Sequence, residues 1–147
     1  MLSHVLGYVG IDNQGLSGIE LAYDEYLKGE DGSIKYYSDG FGKKLEKATV
    51  YNSPQSGMNV ALTIDINIQQ AIENELDNVV TKYNPQQSLI VVANPKTGEI
   101  YGMSSRPNFN PNEYNKYDLE TINRNLPIFN TYEPGSTFKV ISLASSI

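Results

Sequence analysis

The sequence predicts an α+β fold in which antiparallel β-strands pack against helices. Residues 65–83 carry apolar side chains at helical spacing. Residues 89–93 and 99–103 form two short apolar runs on either side of a turn-forming segment. A helix followed by a hairpin is typical of this class, because each element buries one apolar face against the other.

The first substantial helix is predicted between Ser17 and Gly29. Ser17 and Glu20 have the spacing of a capping box, in which each side chain accepts a backbone N–H at the start of the helix. Gly29 provides a stop about three turns later. One side of this helix carries apolar and aromatic residues, namely Ile19, Tyr23, Tyr26 and Leu27. We expect this side to pack against the core and not to bind a ligand.

A small antiparallel unit is predicted next. Residues 33–47 hold Ile34, Tyr36 and Phe41 among turn formers, and Asp39-Gly40 is a hairpin signal. Residues 59–64 alternate Val60 and Leu62 with smaller or polar side chains, which favours a further strand.

The main helix should begin at Asp65, which is a good N-cap, and end at Asn84-Pro85. An apolar stripe runs along it: Ile68, Ile72, Leu76, Val79, Tyr83. Its polar residues are expected to face solvent: Gln69, Glu73, Asn74, Asp77. Asn94-Pro95 with Thr97-Gly98 predicts the turn of the following hairpin.

Composition excludes several classes of function. The 147 residues carry 11 Lys and Arg against 17 Asp and Glu, a net charge of −6 with no basic cluster, so nucleic-acid binding is not expected. There is no cysteine, which excludes disulfides and thiolate metal sites. The one histidine, His4, lies in a segment expected to be frayed, and no metal or organic cofactor is predicted. The 11 tyrosines are scattered without regular spacing, as expected for half-buried amphipathic positions and not for a stacking surface.

The segment from Tyr132 to Lys139 is the most informative part of the chain. Pro134-Gly135 interrupts the preceding structure, and an apolar run suited to a buried helix follows Lys139. Ser136 is therefore predicted at the start of a helix. Lys139 lies three residues later, on the same helical face.

This spacing indicates a nucleophile and its base. A serine hydroxyl attacks poorly until a neighbour takes its proton, and a lysine can do this only where desolvation or nearby cations keep it neutral. We therefore predict Ser136 as the nucleophile and Lys139 as the general base. The N–H groups at the start of the helix would help to stabilise an oxyanion.

Several separate segments resemble the class B penicillin-binding proteins, which are D,D-transpeptidases that cross-link peptidoglycan. The similar segments occur in the order typical of that family: residues 6–29, Leu62-Thr63-Ile64-Asp65 with Ile68-Gln69, Asn94 to Ile100, and Tyr132 to Lys139. The resemblance extends along nearly the whole chain and is strongest towards the sporulation branch, although cell-division members are similar over this stretch. Asn94 and Gly102 depart from the aspartate and alanine that are common in the family.

The resemblance implies a division of the chain. Residues 1–58 would be the end of the non-catalytic pedestal or dimerisation region with its linker strands. Residues 59–147 would be the incomplete amino-terminal part of a transpeptidase domain with the β-lactamase-like fold. Arg124-Asn125 matches the approach to the nucleophile, where Arg124 either braces local backbone and carboxylates or is a solvated surface residue.

The family completes its site with S-x-N and K-[ST]-G motifs after the nucleophile, and neither follows Ser136 here. Lys96-Thr97-Gly98 precedes Ser136 and is interpreted as turn chemistry. We therefore expect this chain to be the amino-terminal portion of a longer enzyme, inactive by itself. Its hairpin would then lack neighbouring strands, so self-association or a disordered carboxyl end is expected.

The implied partners are the D-alanyl-D-alanine end of a peptidoglycan stem peptide, β-lactams, and division or sporulation proteins. The implied location is the extracytoplasmic face of the cell membrane. The family has an amino-terminal anchor, and no apolar run here is long enough to be one, so we expect this chain to begin after it and to be soluble. Two alternatives remain open, namely a non-catalytic folding or interaction module and, less favoured, a β-lactam sensor or β-lactamase.

Overall fold

The computed structural model describes residues 1–38 and 40–146. Asp39, half of the expected Asp39-Gly40 hairpin signal, lies outside the described residues. The α-helices are α1 Ser3–Leu6, α2 Gly18–Ala22, α3 Asp24–Leu27, α4 Ile66–Tyr83, α5 Leu119–Asn123, α6 Leu126–Phe129 and α7 Lys139–Ala144. The strands are β1 Ser33–Ser38, β2 Lys44–Asn52, β3 Ser88–Ala93 and β4 Ile100–Arg106, and two 3₁₀ helices span Pro111–Lys116 and Gly135–Phe138. No described helix has both the length and the apolar character needed to cross a membrane.

The helix predicted between Ser17 and Gly29 is in fact two short helices, α2 and α3, separated at Tyr23. The predicted capping box is wrong, since the Ser17 side chain makes no capping hydrogen bond. Gly18 has a left-handed φ of +59°, which reorients the first turn, and a Cβ there would lie 2.6 Å from the Val5 carbonyl oxygen. Close packing between α1 and α2 therefore sets this geometry.

The predicted packing face of that helix is confirmed in part: Ile19 and Leu27 are half-buried, but Tyr23 and Tyr26 are exposed. The antiparallel unit is confirmed in part. Strands β1 and β2 pair from Ser33 opposite Asn52 to Ser38 opposite Lys44, with an irregularity after Tyr36.

The strand expected at residues 59–64 does not form. The segment instead runs beside β4 with isolated contacts: the Thr63 hydroxyl donates to the Ile100 carbonyl at 2.7 Å, and the Asp65 N–H donates to the Tyr101 carbonyl at 2.9 Å. Two isolated bonds do not make the regular ladder of a strand pair.

Helix α4 begins and ends as predicted. Asp65 Oδ1 accepts hydrogen bonds from the backbone N–H groups of Asn67 and Ile68, at 2.8 and 3.1 Å. Asn84 ends the helix in the left-handed conformation with φ of 43°.

The buried face of α4 differs from the predicted stripe. Ile72 and Leu76 are buried as expected, but Tyr83 is 67% exposed. Gln69 and Glu73 are buried, so the expectation that they face solvent is wrong. The true buried face follows the i, i+3, i+4, i+7 spacing of residues 69, 72, 73 and 76.

Strands β3 and β4 form an antiparallel hairpin, as predicted, with Ser88 opposite Arg106 and Val91 opposite Met103. Helix α4 packs on one face of the hairpin and α6 contacts it as well. A Cβ on Gly102 would come within 2.4 Å of Ile72 Cδ1, so the Ile72 side chain packs directly against the strand at this point. Among the described residues, no strand pairs with the outer edge of β3.

An aromatic cluster joins the start of the chain to the residues that follow the hairpin. The Tyr8 ring stacks on Tyr114 with centroids 4.4 Å apart and meets Phe109 edge-on at 5.9 Å. Ile122 is buried in the same cluster. The prediction that the tyrosines are half-buried is largely wrong, since Tyr8 is buried and most of the others are exposed: Tyr23, Tyr26, Tyr37, Tyr51, Tyr83, Tyr117, Tyr132.

His4 is buried and makes contacts with distant residues, so the expectation of a frayed start is wrong. The side chain is buried against Phe109, edge-on at 5.0 Å. Nε2 lies 2.8 Å from the Thr121 carbonyl oxygen and must donate to it, because a carbonyl only accepts. Ser105 Oγ lies 3.5 Å from Nδ1 and can donate to it.

The pKa of His4 should therefore lie below its ordinary value of about 6.5, mainly because burial disfavours the charged ring. The Thr121 hydrogen bond and Glu73 oppose this shift, and Arg106 adds to it. A histidine with a lowered pKa in the folded state stabilises the fold above the unfolded value. This contribution is lost as the pH falls from about 6.5 towards the folded pKa.

We expect an NMR titration of the one histidine in the chain to give a midpoint below about 6.5. The free energy of unfolding should fall over the same pH interval. In a His4→Gln variant, that part of the pH dependence should disappear. A midpoint at or above the ordinary value would contradict the buried neutral ring.

Candidate active site

The Ser136 motif has the local geometry that the sequence predicts. Gly135 begins a 3₁₀ helix with φ of +54°, and no heavy atom lies within 4 Å of the position a Cβ would take, so the backbone conformation is what requires glycine. The Lys139 N–H donates to the Ser136 carbonyl oxygen and α7 continues directly. Because residues three apart align in a 3₁₀ turn, the Ser136 and Lys139 side chains project from one side.

The surroundings of this motif differ from the expectation. Ser136 and Lys139 are exposed, and within the described residues neither side chain has a hydrogen-bond partner. The apolar run of α7, expected to be buried, is open to solvent: Val140, Ile141, Leu143. The burial that the sequence predicts around Lys139 is therefore not provided by the described residues.

The other residues singled out from the sequence lie away from this turn. Lys96-Thr97-Gly98 forms the hairpin turn, where Asn94 Oδ1 accepts the Lys96 N–H at 2.9 Å, as the turn interpretation predicts. Arg124 forms an ion pair with Glu120 one helical turn away, and its guanidinium lies over the Phe129 ring at 5.2 Å. Two roles were open for Arg124, and the structure shows the contact with a local carboxylate, that of Glu120. The Arg124 side chain is partly exposed there.

A buried polar cluster that the sequence did not predict holds α4, β4 and the start of the chain together. Gln69 is fully buried, and its side-chain amide bonds both backbone groups of Met103. Its Oε1 accepts the Met103 N–H at 2.9 Å and its Nε2 donates to the Met103 carbonyl at 3.2 Å. The amide thereby takes the place of a neighbouring peptide group at the outer edge of β4.

Glu73 is the acceptor at the centre of this polar cluster. Its Oε1 accepts from the Leu2 N–H at 3.1 Å, from Gln69 Nε2 at 2.9 Å and from Ser104 Oγ at 3.1 Å. Its Oε2 accepts from Arg106 Nη2 at 2.9 Å. One carboxylate thus connects three parts of the chain that are far apart in sequence.

Arg106 uses its whole guanidinium in the polar cluster. Nε donates to Asp77 Oδ1 at 2.8 Å, and Nη1 lies within reach of Ser104 Oγ and the Ser105 carbonyl at 3.3 and 3.1 Å. Nη2 reaches the Glu73 carbonyl at 3.2 Å as well as the Glu73 carboxylate. All five N–H donors of the Arg106 guanidinium therefore have acceptors.

These contacts shift both pKa values in the direction that keeps the pair charged. Burial alone would raise the pKa of Glu73, but hydrogen bonds from Leu2, Gln69, Arg106 and Ser104 outweigh it and lower the pKa. Burial likewise opposes the charge on Arg106, and the two carboxylates raise its pKa above the ordinary value. The pair is ionised in the folded state.

A signal for this cluster was present in the sequence. Gln69 and Glu73 share the i, i+4 spacing and bracket Ile72 on the same side of the helix. A stripe drawn through residues 69, 72, 73 and 76 contains two polar residues, and this indicates buried polar groups that need a partner. Within the described residues, no group of three or more acidic or histidine side chains could hold a metal ion.

Comparisons with known proteins agree with the order of elements. Residues 1–62 match the family model for the penicillin-binding protein dimerisation domain. Residues 88–147 match the model for the penicillin-binding protein transpeptidase domain.

Curated relatives match the chain over almost its whole length. Stage V sporulation protein D of Bacillus subtilis is 54% identical over 147 residues, which is 99% of this chain and 23% of the relative. Peptidoglycan D,D-transpeptidase FtsI of Escherichia coli is 31% identical over 145 residues, 99% of this chain and 24% of the relative. The chain thus spans about a quarter of the length of these relatives.

Solved structures agree in fold. Penicillin-binding protein 3 of Mycobacterium tuberculosis in its apo form has a TM-score of 0.75 at 25% identity, over 96% of this chain and 28% of that one. The same protein complexed with aztreonam has a TM-score of 0.74 at 25% identity. That match covers 97% of this chain and 28% of the solved one. With both family models and these relatives in agreement, the chain belongs to the class B penicillin-binding proteins.

The two acidic partners of Arg106 offer a matched comparison. The Glu73 side chain is 7% exposed and that of Asp77 is 68% exposed. Glu73→Gln leaves a buried guanidinium without its buried anion, and we expect it to lower the free energy of unfolding by about 3–5 kcal/mol. Asp77→Asn removes a solvent-screened partner and should cost at most about 1 kcal/mol.

Urea unfolding of the two variants beside the wild-type chain measures this difference. A Glu73→Gln variant that fails to fold while Asp77→Asn folds normally would agree with the expectation. Equal losses in the two variants would contradict the central role of Glu73.

Proposed function

We propose that these residues are part of a longer serine D,D-transpeptidase of peptidoglycan, with Ser136 as nucleophile and Lys139 as general base. The observation that carries the proposal is the placement of the two side chains three residues apart on one helical start, behind Pro134-Gly135. The names of the relatives support it, since the E. coli protein is a peptidoglycan D,D-transpeptidase.

The proposed reaction proceeds through an acyl-enzyme. Ser136 Oγ attacks the carbonyl carbon of the penultimate D-alanine in a stem peptide while Lys139 takes the hydroxyl proton. The C–N bond to the terminal D-alanine then breaks, and that residue leaves as the free amine with the proton. An amine from a neighbouring strand attacks the ester, forms the cross-linking amide and releases Ser136.

Backbone geometry gives the proposal a source of oxyanion stabilisation. The first N–H groups of a helix have no partner within the helix, and the start of a helix is electropositive. Ser136 lies in the first turn of the 3₁₀ helix that leads into α7. Negative charge that develops on the substrate carbonyl oxygen would therefore form close to these groups.

We further propose that β-lactams acylate Ser136, because their strained amide resembles the same D-alanyl-D-alanine bond. The neighbour complexed with aztreonam supports this.

The longer protein would act at the extracytoplasmic face of the membrane, held there by an anchor. Residues 1–58 would be non-catalytic, residues 59–147 would begin the catalytic domain, and sporulation or division proteins would be its partners, in line with the relatives' names.

The sequence after Ser136 contains no S-x-N or K-[ST]-G motif, and α7 is exposed where the sequence predicts a buried helix. The proposal therefore requires a longer chain for acylation. These 147 residues alone should not react.

The test uses a fluorescent penicillin with this chain and with a longer chain that continues through the missing motifs. Only the longer form should be labelled. Ser136→Ala should abolish labelling, and Lys139→Ala should lower its rate by at least about a hundredfold, the usual contribution of a positioned base.

Two matched controls are available in the longer chain. Ser142→Ala removes an exposed hydroxyl from α7. Lys96→Ala removes the lysine of the hairpin turn. Both variants should be labelled at the wild-type rate, and a longer chain that is not labelled at all would overturn the transpeptidase proposal.

The open edge of β3 leads to a separate proposal for the isolated chain. Leu89 and Val91 are exposed on β3, and among the described residues no strand pairs with its outer edge. Such an edge favours pairing with a second copy. Size-exclusion chromatography with light scattering should show concentration-dependent dimers, which Leu89→Lys should reduce. A strict monomer at all concentrations would refute this.

A further inference from the structure

A cavity of about 460 Å³ lies between the amino-terminal helices and the residues around β4, α5 and α6. Its walls come from segments that are distant in sequence, among them α1, α2, the 62–64 segment, the first residue of β4 and α6. The volume lies within the range of about 300–1,000 Å³ found for small-molecule sites. Both regions matched by family models, residues 1–62 and 88–147, contribute walls.

The chemistry of the walls is apolar and uncharged. Most of the lining side chains are aliphatic: Val5, Ile19, Leu62, Ile64, Ile100, Ile122. None of the described residues that line the cavity is Asp, Glu, Lys or Arg. A charged ligand would lose its hydration here without meeting a counter-charge, so the walls favour a neutral molecule.

The polar groups in the walls are few, and some of them are already bonded. The Thr63 hydroxyl donates to Ile100, and Asn123 Oδ1 accepts from the Tyr8 hydroxyl at 3.1 Å. Ser17 also lines the cavity, and its side chain makes no capping hydrogen bond. The Asn125 amide nitrogen lies 3.7 Å from Met103 Sδ, and within the described residues the Asn125 side-chain oxygen has no partner. The Ser17 and Asn125 oxygens can therefore each accept from a ring that carries a single donor, in a largely apolar surface.

A polypeptide strand is a poorer match for this cavity. Strand addition requires unpaired backbone groups at an edge. The outer edge of β4 beside the cavity is already bonded, at Ile100 by Thr63, at Tyr101 by Asp65 and at Met103 by Gln69. Side-chain packing alone remains available, and this favours a compact molecule.

We propose that this cavity binds a small, uncharged, mainly apolar ring compound that carries one hydrogen-bond donor. Such a ligand would contact α1 and α2 on one side and β4 and α6 on the other, and would stabilise their packing. The site is separate from Ser136 and goes beyond the proposed transpeptidase activity.

Indole serves as the test probe, because it is neutral and carries one N–H. His4 also lines the cavity and is the one histidine of the chain, so its ring resonances report on this location alone. Addition of indole to the 147-residue chain should shift these resonances in a saturable manner. Indole-3-acetate and tryptamine, which carry a charge, should bind at least about tenfold more weakly.

A pair of tryptophan variants locates the binding without relying on the probe alone. Ala22 lines the cavity at its exposed side, whereas its neighbour Leu21 is exposed and does not line it. The wild-type chain contains no tryptophan, so each variant carries a single tryptophan whose emission reports on one position. The Ala22→Trp ring should enter the cavity and emit at shorter wavelength than the solvated ring of Leu21→Trp.

The same variants provide the competition experiment. Ala22→Trp should weaken indole binding at least about tenfold, because its own ring occupies the space, while Leu21→Trp should bind as the wild type does. Equal binding to both variants, or no shift of His4 in the wild type, would overturn the proposal.

Two further outcomes would assign the cavity to another occupant. If His4 shifts with protein concentration in the absence of indole, a second copy covers the cavity and the small-molecule proposal is wrong. If indole binds these 147 residues but not the longer chain, a later segment of the protein fills the site. Indole binding to both the 147-residue chain and the longer chain would support the proposal.

Discussion

The buried ion pair between Glu73 and Arg106 is the interaction on which the arrangement of this chain depends. Arg106 ends β4, Glu73 lies in the middle of α4, and the same carboxylate accepts the Leu2 N–H. Two charges removed from water destabilise a fold unless every remaining donor and acceptor is satisfied. Here the surrounding amide, hydroxyl and carbonyl groups satisfy them, so the geometry of helix, hairpin and amino-terminal segment is fixed together.

This constraint explains why the hairpin can hold its shape with few strands. A two-stranded hairpin is at best marginally stable in water. The Gln69 amide occupies the outer edge of β4 at Met103, and the Ile72 side chain of α4 packs directly against Gly102. Helix α4 therefore gives the hairpin part of the support that further strands would give.

Features governed by local chemistry could be predicted from the sequence. The Asp65 cap, the Asn84 stop, the hairpin turn and the Ser136 turn each depend on residues within a few positions. The capping box at Ser17 failed because α1 packs against Gly18 and imposes a left-handed backbone. The buried face of α4 could not be placed from the sequence. Glu73 is buried because it pairs with Arg106, which is distant along the chain. Burial of Lys139, which the apolar run after it predicts, is absent among the described residues.

The contacts of residues 2–8 also have a temporal consequence. His4 bonds a residue 117 positions later and Tyr8 bonds one 115 positions later. At the usual synthesis rate of about 5–20 residues per second, roughly 6–23 s pass before those partners exist. During that interval the rings of His4 and Tyr8 lack these hydrogen-bond partners. The rate of synthesis therefore sets the earliest moment at which the amino-terminal segment can pack against residues 121–123.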